Sequence, residues 1–79
     1  MNNDQRLKNV LAAVFKINPL EINEESSVDT VERWDSLHHL NLVLALESEF
    51  NLSLTEDQSV EILSFPLIKI VLQEYGIKF

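Results

Sequence analysis

The stretch from Arg33 to Phe50, RWDSLHHLNLVLALESEF, constrains the fold more than any other part of the chain. Its apolar residues recur at three- and four-residue spacing, the period of an α-helix, and predict a helix from Asp35 to about Phe50. Asp35 is suited to the N-cap, where a carboxylate accepts backbone N–H groups and complements the positive end of the helix dipole. At about 100° per residue, the apolar side chains separate into two stripes. Leu42, Val43, Leu46 and Phe50 form one, with His39 at its start; Leu37, Leu40 and Leu44 form another beside Ser36, and Ala45 lies between. A helix in a small bundle needs one stripe for the core, so the other is covered by a further element or left as a contact surface.

The flanking segments supply partners for the core stripe. Leu7, Val10, Leu11 and Val14 follow the i, i+3, i+4, i+7 pattern, predicting a first helix over residues 3–16 with Asn2 or Asn3 as N-cap. Pro19 ends it, because proline disfavours helical geometry at the preceding residue, Asn18. From Ile17 to Asp35 the chain is polar and acidic, yet Ile22, Val28, Val31 and Trp34 are spaced along it like plugs. A connection this long in a small domain packs against the core or serves a function, so an ordered loop is expected. Thr55 and Gln58 carry a capping-box pattern that opens a short helix of about two turns in TEDQSVEIL. Ser64 then caps FPLIKIVLQEY, with Pro66 in the first turn, where a missing N–H costs little, and Gly76 as the stop. Leu67, Ile68, Val71, Leu72 and Tyr75 are expected on its inward face. The expected fold is all-α, with residues 1–79 forming one domain of three main helices and a short one.

Composition narrows the functional classes. With 79 residues, folding buries only about 60–65 % of the surface the unfolded chain exposes, which argues against a pocket that encloses a substrate. The absence of cysteine excludes disulfide and thiolate chemistry by the chain's own residues. The start MNNDQRLKNV lacks the features of a signal peptide, and no apolar run approaches the ~20 residues of a membrane span, so a cytoplasmic protein without membrane insertion is expected. Net charge is −7, and between Glu21 and Glu61 lie eleven acids (21, 24, 25, 29, 32, 35, 47, 49, 56, 57 and 61) against one base, Arg33. That field disfavours nucleic acid and steers basic partners toward the middle of the chain, although it also serves ordinary solubility.

Ser36 and His39, at i and i+3, could approach one another, but no G-x-S-x-G elbow and no orienting acid accompany them, so the chain is not expected to be an enzyme. His38 and His39 point about 100° apart and lack a companion ligand set, so solvated or partner-facing imidazoles are expected and no metal site. Glu24, Glu25 and Asp29 do not fit the glycine-bearing calcium loop. The remaining chemistry is attachment. A serine hydroxyl in the first turn after a long loop is exposed, in a field that favours an anion by about 0.3–1 kcal/mol. Asp-Ser at a helix start is equally ordinary capping chemistry.

The order of helix, long acidic loop, D-S-L, leucine-rich helix ending ALESEF, short helix and final helix resembles the acyl carrier protein family over essentially the whole chain, most specifically in WDSLHHLNLVLALESEFNL. The resemblance implies an acyl-carrier-like bundle in which Ser36 receives 4'-phosphopantetheine from coenzyme A through a phosphopantetheinyl transferase. The arm brings its own thiol and holds an acyl, peptidyl or aminoacyl group as a thioester. Asp35 would be the preceding acid that the transferase reads. Leu37, Leu40 and Leu44 would flank the arm as a docking stripe for acyl-loading, condensing or acyl-transfer enzymes, and the carrier would act as a monomer. Arg33 and Trp34 stand where the family often has glycine before the motif, and His38 and Asn41 stand where fatty-acid-synthase carriers place acids. The form WDSL looks more like discrete carriers of specialised pathways, such as polyketide, nonribosomal-peptide-like or surface-polysaccharide biosynthesis, than like a housekeeping fatty acid carrier. The alternative is an unmodified helical interaction module that uses the Leu37, Leu40 and Leu44 stripe.

Overall fold

A computed structural model describes residues 2–79. Four α-helices account for the architecture: α1 (Asn3–Phe15), α2 (Ser36–Phe50), the short α3 (Glu56–Glu61) and α4 (Phe65–Glu74). No strand occurs among the described residues, and the expected all-α bundle of three main helices and a short one is the fold observed. The side chain of Asn2 accepts the Gln5 N–H at 2.7 Å and starts α1, which ends where Lys16 turns into the left-handed region at φ 57°.

The loop between α1 and α2 is ordered by its own polar groups. Asn18 and Glu21 close a reciprocal capping box around the 3-10 turn Pro19–Glu21. Ile22, Val31 and Trp34 then insert into the core, and the Trp34 ring lies 4.9 Å from Phe15. Two backbone bonds stitch the loop to the junction of α3 and α4, Val28 N–H to Leu63 O at 3.0 Å and Phe65 N–H to Ser26 O at 2.8 Å. Val28 does not plug the core as expected: it lies at that stitch with its side chain exposed.

One contiguous apolar cluster joins α1, α2 and α4, with Ile62 reaching it from the end of α3. Leu7, Val10, Leu11 and Phe15 of α1 meet Leu42, Leu46 and Phe50 of α2, with Ile62, Phe65, Ile68, Val71 and Leu72 closing the far side. Val43 and Ala45 pack at its margin. The inward face of α4 differs from the sequence expectation. Phe65, Ile68, Val71 and Leu72 are buried, whereas Leu67 and Tyr75 are exposed. Phe65 begins the helix and fixes its rotational phase, and Leu67, two residues on, lies about 200° away around the axis. Tyr75 falls at the C-cap, where its hydroxyl donates to Ser53 O at 2.6 Å and also bonds Gln58. Arg6 fastens the ends of α1 and α2, donating to the Glu49 carboxylate at 3.0 Å and to the Glu49 carbonyl at 2.8 Å above the Phe50 ring.

Candidate functional site

The candidate site is the point where the long loop delivers the chain into α2. Trp34 N–H donates to Val31 O at 3.0 Å and Asp35 N–H to Arg33 O at 2.9 Å, so the last loop residues turn tightly before the helix begins. Asp35 adopts extended geometry at φ −101° and ψ −177°, the conformation of an N-cap residue. One of its carboxylate oxygens accepts both the His38 backbone N–H at 2.9 Å and His38 Nδ1 at 2.8 Å. The backbone bond from His38, reinforced by its ring and by the Leu37 N–H, holds the Asp35 carboxyl below its ordinary value of 3.8.

Ser36 is the first residue of α2, and it is exposed. Among the described residues nothing hydrogen-bonds its hydroxyl, so the Oγ is available to a reagent arriving from outside. Beyond it the three stripe leucines stand in solvent, with Leu37 66 %, Leu40 56 % and Leu44 57 % exposed. The stripe opposite, Leu42, Leu46 and Phe50, is buried. Of the two stripes that the spacing separates, packing therefore buries one and leaves the other, near Ser36, open.

Sequence left both histidines as solvated or partner-facing imidazoles, and each has hydrogen-bond partners within the molecule. His38 is half-buried, tied to Asp35 and 6.3 Å from the Phe15 ring. His39 is also half-buried: Trp34 Nε1–H donates to its Nδ1 at 3.0 Å, and its Nε2 pairs with Ser59 O at 2.7 Å on α3. With both imidazoles engaged elsewhere, no base is poised on Ser36 Oγ. Adjacency concealed these partners, because Ser59 is remote in sequence and a tryptophan gives no hint of where its N–H points. No group of three or more His, Asp or Glu side chains able to hold a metal ion exists among the described residues.

Two shallow depressions flank the bundle. One, of about 560 Å³, lies between α1 and α2 with Val10, Ala13, Val14 and Ala45 among its lining and Lys16 and Glu49 at its rim. The other, of about 370 Å³, lies in the acidic loop near Glu21, Glu25 and Glu32. No helix among the described residues is long and apolar enough to cross a membrane. No protein-family model matches the chain.

Proposed function

We propose that the protein is a carrier whose Ser36 bears a 4'-phosphopantetheine arm and presents an acyl, peptidyl or aminoacyl group to biosynthetic enzymes. The observation that carries the reading is the Ser36 hydroxyl: exposed, unengaged and at the first position of α2, directly beside an exposed leucine stripe. In the loading step Ser36 Oγ bonds to the phosphorus that bears the pantetheine group in coenzyme A. The phosphoanhydride bond breaks, adenosine 3',5'-bisphosphate leaves, and a base of the transferase takes the hydroxyl proton. That base must come from the transferase, since His38 and His39 are both committed to other partners. The arm, once attached, supplies the thiol that the chain lacks.

The chain's own residues anchor and display that arm. Asp35 fixes the helix start and offers the transferase a carboxylate, ionised at neutral pH, beside the hydroxyl. Leu37, Leu40 and Leu44 offer partner enzymes a small apolar surface, while the central acids raise the encounter rate with basic partners. A small apolar contact suits brief docking, which a shuttle requires. The specialised pathways that use WDSL-type carriers are the ones this reading favours, with a cytoplasmic, monomeric protein that does not itself catalyse a reaction.

A second reading rests on the same stripe: an unmodified interaction module that lays Leu37, Leu40 and Leu44 into the groove of a partner. Intact-mass measurement after incubation with coenzyme A and a promiscuous phosphopantetheinyl transferase separates the two. The carrier gains a single pantetheinyl adduct, and Ser36→Ala gains none. A chain that stays at its unmodified mass while a control carrier is loaded is the interaction module.

A further inference from the structure

His39 stands apart from the attachment chemistry, and its hydrogen bonds admit one protonation state. The Trp34 indole N–H is a donor only, so the Nδ1 it points at across 3.0 Å must be an unprotonated acceptor. The ring proton of the neutral imidazole then sits on Nε2 and is donated to Ser59 O at 2.7 Å. Trp34 and His39 rings are inclined by only 24°, which suits a bond in the plane of both. A single imidazole thus joins the last buried residue of the loop, the first turn of α2 and α3.

We infer that the Trp34–His39–Ser59 relay is a proton-sensitive clasp that holds the loop against the head of α2 only while His39 is neutral. A proton added to Nδ1 sets two N–H groups against each other and removes the only hydrogen-bond acceptor that Trp34 Nε1 has among the described residues. The bond to Ser59 survives, because Nε2 remains a donor. The change is therefore directional: α3 stays fastened while Trp34 is released. Trp34 lies two residues before Ser36 and against Phe15, so its release loosens the turn that sets the start of α2.

Among the ionisable groups of the packed elements, those nearest in sequence to the relay are Glu32, Arg33, Asp35 and His38, and Glu56, Asp57 and Glu61 of α3, while Lys16 closes α1, whose Phe15 packs on Trp34. None of their side chains bonds a ring nitrogen of His39, so the ring answers to the proton rather than to a fixed counter-ion. The clasp operates whatever Ser36 carries.

Nitrogen-resolved NMR of the full chain tests the clasp directly. At pH 8 the wild-type His39 ring should be protonated at Nε2 alone. Between about pH 8 and pH 5, the range in which histidine side chains change charge, the Trp34 indole resonance should move in a one-proton step. His39→Gln should abolish the step and His38→Gln should leave it, with far-UV circular dichroism unchanged across the range. A proton on Nδ1 at pH 8 overturns the inference, as does an indole resonance that is flat with pH or follows His38. Because the tautomer and the titration are both read on the wild-type protein, a variant that does not fold leaves the test intact.

Discussion

At the residue scale, Asp35 and Ser36 occupy adjacent positions with opposite duties. One oxygen of the Asp35 carboxylate is engaged inside the molecule by the backbone and ring of His38. Ser36, one residue on, spends nothing inside and faces outward. Substitution should separate the two roles. Asp35→Ala removes the N-cap and should lower the melting temperature at neutral pH, while Ser36→Ala should leave it unchanged. The Asp35 carboxyl is depressed in the folded chain, so its contribution is complete above the ordinary value of 3.8 and is lost as pH falls through the folded value. The gap in melting temperature between Asp35→Ala and wild type should accordingly narrow in acid, as thermal melts from pH 7 downward will show. Asp35 and Ser36 were legible in the sequence because capping is a local matter of residues a few positions apart. The partners of His39 were not, since Ser59 meets it only after α3 folds back.

At the element scale, α2 works as a two-sided helix, and its sides should respond differently to truncation. Leu42 is fully buried, and Leu42→Ala should cost about 2–5 kcal/mol in chemical denaturation, from lost burial plus the cavity left behind. Leu40 stands more than half exposed, and Leu40→Ala should stay within about 0.5 kcal/mol of wild type. If the stripe serves partner enzymes, that same Leu40→Ala variant should slow their turnover. A loss comparable to that of Leu42→Ala would instead assign the stripe to the core. Spacing separated the apolar residues of α2 into two stripes but did not say which is core; packing against α1 and α4 buries Leu42, Leu46 and Phe50. On α4 the same procedure misassigned Leu67 and Tyr75. Its apolar residues extend beyond the buried face to Leu67 and Ile70, which stand exposed, and such a helix takes its phase from the elements packed against it.

For the whole molecule, a single lysine gathers the termini and the loop. Lys69 Nζ of α4 lies 2.6 Å from Asp4 of α1 and 2.6 Å from Glu24 of the loop, and 4.5 Å above the Phe65 ring. Burial alone would push the Lys69 ammonium down, but its bonds to Asp4 and Glu24 outweigh that and raise it. The Lys69 bond, against a smaller opposing effect of burial, holds Asp4 below 3.8. The raised lysine is stabilising below its ordinary value of 10.5 and fails only as pH rises through the folded value; the depressed Asp4 fails as pH falls below 3.8. Lys69→Met should therefore cost on the order of 1 kcal/mol at pH 7 and flatten the acid limb of the stability profile, as denaturant titrations across pH will show. The sequence by itself determined where the helices start and stop to within a residue or two, that α2 carries two apolar stripes, and that Ser36 stands at a helix head, because caps, prolines and periodicity act over a single turn; which stripe is buried came from packing. Tertiary structure decided the phase of α4, the exposure of Val28, the clasp on His39 and the partners of Lys69. Those depend on which surfaces meet, and residues far apart in the chain carry no local mark of one another.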